Sequence, residues 1–585
     1  MKNCRYIVIV LLCLTTGMLW AEEVRDDKEV KEVKETLIYL EHSETLNFDE
    51  ERHKDAQLLK GNVIFRHDDA LMYCDSAWFY EKSNSLDAFG HVRLVQGDTL
   101  QGFSDVLFYD GNTKMARMRR HVKLIHTGTT LTTDSLNYDR QADLAWYYTG
   151  GTVADSLNTL DSQWGQYTPA TKQAVFKTGV KLVNPNFVLT ADTLKYNTES
   201  HIADLVGPTE IVYEEETTIY STLGWYNTQT EESMLLERSR VVHTDGKQMT
   251  GDTIFYDKQR GVGDIRKNME MTDSVQHVTL YGHFGLFYEQ ERRGYATDSA
   301  LLVDWSGEEK MYIHADTLYT EETAYRLPIV TEHDSVLVDS VMTAPAPDTV
   351  WQDTSYRQVK AWYGVRIYRK DMQAVCDSMR YDGRDSLLSL YKEPVLWSDQ
   401  QQMSADSVTV FIREGVVEHL HGTGRAIAIQ QDDDPKHFNQ LSGKEILAFL
   451  QEGELREIHV NGNAETVFYP HEDENSPDVV GVNKTQSSYV KLYIRNQKID
   501  HILFTAATTG TMYPLDKISE QETRLGAFFW AEEQRPTDER DVFRDVKKAD
   551  RPADVALSAR DDSEPEETAE PKGKDGKRRK TNNKK

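Results

Sequence analysis

The residue type that recurs at a spacing able to do chemistry is aspartate. Asp75 and Asp105 are 30 residues apart, and Asp105 and Asp134 are 29 apart. Asp192 follows after 58 residues, Asp252 after another 60, and Asp316, Asp377 and Asp406 continue the series. A carboxylate repeated in this way could serve catalysis, line up cation sites or bond to the backbone. A catalytic site needs no such number of copies, and a calcium ladder would bring Gly-rich nonapeptides, which this sequence lacks. Ser or Thr usually follows the Asp. The pair therefore reads as a local device, hydrogen-bonded to backbone N–H groups where a strand bends. The Asp shares strand parity with the apolar residues that follow it.

Other chemistry-bearing patterns are sparse. The sequence has no H-E-x-x-H, no paired C-x-x-C, no G-x-S-x-G and no phosphate-binding loop. Gly422-Thr423-Gly424 lacks the rest of a dinucleotide fingerprint. His419 and His421 can share one strand face, but without carboxylate support they read as a surface pair. Cys74 and Cys376 each precede a repeat Asp, so they occupy equivalent places in distant repeats and read as small residues buried at a bend rather than a disulfide. The expectation is a protein that is not an enzyme and has no cofactor and no metal. A formal net charge of −29 argues against nucleic acid as a partner.

The elements that carry the aspartates are strands. After each Asp, apolar residues stand two and four places on, as at Leu107 and Tyr109 or Leu136 and Tyr138. A second pattern alternates with it, Gly or a basic residue followed by alternating apolar residues, as at Gly61-Asn62-Val63-Ile64-Phe65. Gly61 and Gly90 are 29 apart, and the pattern returns at Gly151, Gly179, Gly207, Gly364 and Gly462. Turn residues such as Asp110-Gly111-Asn112 and Asn184-Pro185-Asn186 separate the segments. Period-2 alternation repeated every 29 residues or so predicts an all-β array of stacked antiparallel strands, two of about a dozen residues per repeat. One apolar face per strand then lines a continuous interior. Its stripe includes Val63, Phe65, Val92, Leu94, Val122, Leu124, Leu136, Tyr138, Leu194 and Tyr196. The stripe fits either a filled core or a greasy channel.

Composition divides the 585 residues further. Lys2 and Arg5, the apolar run Tyr6 to Leu14 and the small residues up to Ala21 read as a signal peptide over 1–21, cleaved after Ala21 or Gly17. A polar leader follows over 22–36. A first array is expected over 37–326, then a linker or inserted loop over 327–356 around Ala344-Pro345-Ala346-Pro347, and a second array over 357–514. Residues 515–545, with Phe528-Phe529-Trp530, read as a cap over the last apolar face. The charged tail over 546–585 reads as disordered.

The phased alternation of Gly90-His91-Val92-Arg93-Leu94 with Asp134-Ser135-Leu136-Asn137-Tyr138, and the run Gly251-Asp252-Thr253-Ile254-Phe255-Tyr256, resembles the OstA-like family. This is the superfamily of lipopolysaccharide-transport protein A and the N-terminal domain of translocon protein D. The resemblance covers most of 37–514. It implies an elongated, open β-jellyroll whose interior groove holds lipid acyl chains, in a periplasmic protein, with association with the outer membrane as a further expectation. It further implies lipopolysaccharide or a related glycolipid as ligand, edge-strand pairing with other lipopolysaccharide-transport proteins, and head-to-tail self-association. The chain is longer than a typical bridge subunit and has no C-terminal run of alternating transmembrane strands. The family supplies no catalytic residues. Two functions follow as expectations. One is a lipopolysaccharide carrier or bridge, with the ten stripe residues lining its groove. The other is a scaffolding solenoid with a filled core that binds envelope proteins.

Overall fold

A computed structural model of the chain describes residues 36–48, 55–330 and 349–546, apart from 414–415, 452, 473–477 and 496–497. The expected signal peptide, the leader up to 35, the tail from 547 and the stretch 331–348 lie outside the described residues. The described residues are overwhelmingly β-strand, with no α-helix and three short 3-10 turns. They form two compact units, within Met1–Trp146 and Tyr147–Lys585. That division falls well before the expected linker over 327–356.

In the first unit, Gln57–His67, Ala70–Tyr80, Ser85–Gln96, Leu100–Asp110, Met115–His126 and Thr129–Asp139 pair in sequence order, each antiparallel to the next. Each strand bends near its middle. Lys60 pairs with Ser76 and Val63 with Cys74, so Gly61 and Asn62 stand together against Asp75. Both take left-handed backbone angles, with φ of 84° and 46°. The pair recurs at Gly90-His91 and Arg120-His121. Two successive left-handed residues form a bulge that turns the strand. The repeat glycine therefore lies inside a continuous strand rather than at its start. The ring contacts show how far the sheet folds. Phe65 pairs across from Met72, and Phe79 is seven residues further along, roughly 23 Å away in a flat sheet. The two rings are 5.5 Å apart, because the halves of the sheet face each other as two leaves.

The repeat aspartate sits at this corner, but its bonding differs from the sequence expectation. Asp75 Oδ2 is 2.7 Å from His91 Nδ1, and Asp105 Oδ2 is 2.8 Å from His121 Nδ1. In the second unit Asp252 Oδ2 accepts from Asn268 Nδ2 at 2.7 Å, and Asp406 Oδ1 from Arg425 Nε at 2.9 Å. The partner is the side chain of the second bulge residue, not a backbone N–H. The expected parity also fails. Cys74 and Ala77 are both inward and buried, and the Asp75-Ser76 pair between them absorbs the bend. Cys74 and Cys376 are thiols buried at this inner corner, and burial pushes the Cys74 thiol up to about 12.

Folding the first unit brings its two rows of hairpin loops together along a seam. Arg140, from one row, donates to Asp69 Oδ1 in the other at 2.6 Å, to Gln96 Oε1 at 3.1 Å and to Tyr109 Oη at 2.7 Å. Lys114 and Asp68 pair across it at 2.7 Å. His67 is fully buried here, sharing hydrogen bonds with Tyr109 Oη at 2.6 Å and Thr36 Oγ1 at 2.8 Å. Burial holds its imidazole below the ordinary value, against the bond from Thr36 and the charge of Asp68.

The second unit repeats this design from Gln173–Val183 to Arg293–Asp304, with left-handed pairs at Thr178-Gly179, Glu237-Arg238, Lys267-Asn268 and Asp298-Ser299. Its hairpin Met311–Val330 and Thr349–Arg369 is longer than its neighbours. Pairing runs from Tyr312↔Tyr368 to Val330↔Thr349, whereas the flanking strands stop opposite Glu321 and Gln358. The expected linker is therefore, where described, a two-stranded ribbon that continues the ladder. Tyr325 and Tyr356 pack edge to face on it. The array then continues to Thr509–Tyr513.

Residues 519–544 do not cap the end. They run back along the outer face of the sheet as a strap. Leu525 packs on Val467, Tyr469 and Val482, Phe528 and Trp530 pack on Phe438, and Ala531 packs on Trp397. Ile427 and Ile429 face the strap, while the alternate residues Ala426 and Ala428 face the interior. Two glutamines hold its backbone. Gln440 donates to Thr523 O and accepts from Leu525 N, both at 2.8 Å. Gln402 donates to Phe529 O at 2.7 Å and accepts from Ala531 N at 2.8 Å. Each side-chain amide thus presents to the strap the donor and acceptor that a neighbouring strand would. The strap ends near Arg366, which donates to Gln534 O at 3.0 Å and pairs with Asp541 at 3.5 Å.

Three outcomes follow. A Cβ on Gly90 would collide with the Asp75 carboxylate in a backbone geometry that L side chains rarely adopt. Gly90→Ala should therefore cost about 1–3 kcal/mol in urea unfolding, and the unstrained control Gly307→Ala close to nothing. Gln440→Leu strands two strap backbone groups, so amide exchange at 521–531 should rise well before global unfolding. The neutral His67 side chain stabilises the fold fully above pH ~6.5, the ordinary histidine value, and that contribution is lost as pH falls through this value toward the depressed one. An acid titration of wild type against His67→Gln should show the difference confined to that window.

Candidate functional site: a methionine-lined interior and its polar seam

All ten stripe residues point between the leaves and are buried. Val63, Phe65, Leu136 and Leu194 are 0% exposed, and Tyr196, the most open, is 7% exposed. Val92, Leu94, Val122, Leu124 and Tyr138 are equally covered. In the first unit this packing is tight, and the polar network of Arg140, His67 and Tyr109 closes the seam over it. His419 and His421 lie on an outward face. His419 stacks on Phe411 at 3.9 Å and reaches Phe449 at 5.8 Å.

The second unit holds a less filled stretch, from Glu232–His243 to Arg293–Asp304. Inward Val241, Met249, Met271 and Val278 are only half-buried, although they pack against the main core. Across from them the sequence places glycines where other repeats carry larger inward residues. A Cβ at Gly263 would lie 3.9 Å from the Met249 methyl, and one at Gly294 would lie 3.9 Å from the Met271 methyl. At Gly285 a Cβ would collide with Met269 Sδ. The interior here is flexible thioether laid over bare backbone. Such a lining can repack, because methionine has several rotatable bonds and a polarizable sulfur. None of these residues belongs to the stripe read from the sequence. The available signal was the alternation of Met249, Met269 and Met271 with Gly251, Gly263, Gly285 and Gly294.

The seam beside this stretch is rich in hydroxyls and charge, because the repeat tyrosine ends each strand there. Tyr213 donates to Glu231 Oε1 at 3.3 Å, and Asn186 Nδ2 donates to the same oxygen at 2.7 Å. Tyr256 donates to Glu289, and Lys258 Nζ pairs with Glu289 Oε1 at 3.2 Å while lying 5.1 Å from the Tyr213 ring centroid. Further along, Arg357 pairs with Asp273 at 2.6 Å and Lys247 with Glu322 at 3.8 Å. Burial, then the charges of Glu231, Glu214 and Glu289, pushes the Tyr213 hydroxyl up to about 12. Burial and the Glu289 bond raise that of Tyr256. Both phenols therefore stay protonated as donors. The arrangement offers apolar contact inside and hydrogen bonding at the rim, which is the chemistry of holding an amphiphile.

A search of curated proteins returns no match. Among solved structures, LptH of Pseudomonas aeruginosa aligns at 14% identity over 22% of this chain and 80% of its own, with a TM-score of 0.18. That protein is described as the LptA-homologous periplasmic component of the conserved lipopolysaccharide transport device. The family model of OstA-like proteins matches residues 35–192. Over that stretch the chain is similar to OstA-like proteins.

Proposed function

We propose that this protein is a periplasmic carrier or bridge for lipopolysaccharide or a related glycolipid, shielding acyl chains between its two leaves without chemical change. The observation that carries this reading is the half-buried Met249 and Met271 interior beside a polar seam. Each buried CH₂ of an acyl chain is worth about 0.8 kcal/mol. A lining of methionine over glycine can part around a chain at low cost, whereas well-packed Leu and Phe cannot. The ten stripe residues, eight in the first unit and Leu194 and Tyr196 in the second, offer apolar surface of the same kind within each unit and are proposed to line it where the leaves separate. The OstA-like match over residues 35–192 supports transport as the context.

Partners are proposed to pair with strand edges. Among the described residues, Tyr39–His42 and Thr45–Phe48 each pair on one side only, and Leu46 and Phe48 are exposed. Lys498–Thr505 and Thr509–Tyr513 likewise each have one neighbour, and Leu503 and Met512 are exposed there. Such edges accept a strand from another transport protein or from a second copy. The export read from the signal segment and the outer-membrane association implied by the resemblance belong to the same proposal. A second reading, a scaffold with a filled interior, draws on the tight packing of the first unit.

A photo-crosslinking residue placed in living cells separates the two. The inward sites are Phe65, Leu94, Leu136, Tyr196, Met249 and Met271, and the outward controls are Arg93 and Lys195. The carrier reading expects lipopolysaccharide adducts at inward sites only, strongest at Met249 and Met271. A folded, exported protein without adducts at any inward site would establish the scaffold instead.

A further inference from the structure

At the seam of the second unit, two buried hydroxyls have no hydrogen-bond partner. Tyr226 is 4% exposed and Ser233 is 1% exposed, and neither Tyr226 Oη nor Ser233 Oγ is bonded. They face each other as a cross-strand pair on Thr217–Asn227 and Glu232–His243. Unpaired hydroxyls on two residues in register mark a position where a polar group from outside the chain completes the bonding, since buried polar groups are almost always satisfied. The surroundings support this. Tyr226 packs edge to face on Phe187 at 4.9 Å, which fixes the ring. Phe187 is in register with Tyr213, whose hydroxyl bonds Glu231, and the charge of Glu231 acts on the Tyr226 hydroxyl. Glu231 already receives bonds from Tyr213 and Asn186, while Glu289, Tyr256 and Lys258 stand next to them.

The chemistry selects the ligand. Two carboxylates against one lysine leave the cluster net negative, which disfavours a phosphate or another anion. A sugar ring suits it, because each sugar hydroxyl both donates and accepts. Carboxylates and tyrosines at a half-wet rim can take adjacent hydroxyls, and Tyr226 and Ser233 offer the remaining bonds. We infer that Tyr226, Ser233 and Glu231 form a subsite for a neutral sugar of a glycolipid head group, held at the seam while its acyl chains lie over Met249 and Met271. This rests on the carrier reading and adds to it where the head group sits and what part of it is recognised.

The test uses the full chain with Tyr226→Phe and, separately, Ser233→Ala. Thermal unfolding is measured alongside binding of purified lipopolysaccharide and of phosphatidylglycerol, a lipid without a sugar ring. Removing an unpaired hydroxyl should leave the unfolding temperature unchanged or raise it. Affinity for lipopolysaccharide should fall about tenfold, the worth of roughly one good hydrogen bond, with phosphatidylglycerol binding unaltered. A stable variant that binds lipopolysaccharide as wild type does would overturn the subsite and leave the carrier reading standing, the hydroxyls then being met by ordinary water. A parallel loss for both lipids would also overturn it, since no sugar would be read. Wild-type protein that binds neither lipid would remove the carrier reading, and the subsite with it.

Discussion

The long repeat strands of this protein turn a corner near their middle, and the rest of the structure depends on how that corner is made. Two residues with positive φ on one strand oppose an Asp, or an equivalent residue, on a neighbouring strand. The left-handed pair bends the strand, and the carboxylate packs into the space that a missing Cβ leaves at Gly90 or Gly424. It then bonds the side chain of the second bulge residue. Inside the bend only small side chains fit, which is why Cys74, Ser104, Ala191, Gly251, Ala315 and Cys376 precede the corner position. Without the corner the sheet would be flat, and one apolar face would be exposed along its length.

Folding the sheet creates both the interior and the seam, and the two vary together. In the first unit the stripe is tightly packed and Arg140 ties loops of both rows through Tyr109, Gln96 and Asp69. In the middle of the second unit the lining changes to methionine over glycine, and the seam changes to tyrosines answered by Glu231 and Glu289. A loosely filled interior is most useful beside a rim that can bond to something polar, and the second unit brings these features to one place.

The strap adds a constraint outside the repeat. It covers an apolar face formed by Trp397, Ile427, Ile429 and Phe438 that would otherwise be exposed. Because it runs back toward Arg366, it leaves the edge of Thr509–Tyr513 open rather than covering it. Gln402 and Gln440 achieve this with side chains where a sheet would use backbone. The strap therefore lies across the strands and bonds to them without joining the ladder.

The sequence by itself determined the strand period, the antiparallel order and the inward stripe from Val63 to Tyr196, because side-chain alternation and turn residues are local properties. It also placed a bend at the repeat Asp. It did not reveal what the Asp bonds to, since His91 lies 16 residues away and meets Asp75 only across a bulged register. Nor did it reveal that the segments on either side of 331–348 form a paired ribbon, because Leu327 and Gln352 meet only once the two strands lie side by side. Which part of the interior is loosely filled was likewise a tertiary matter. Met249 and Gly263 look unremarkable in their own strands, and their complementarity exists only once the strands lie side by side. The orphaned hydroxyls of Tyr226 and Ser233 belong to the same class, because whether a polar atom has a partner depends on what the folded chain brings against it.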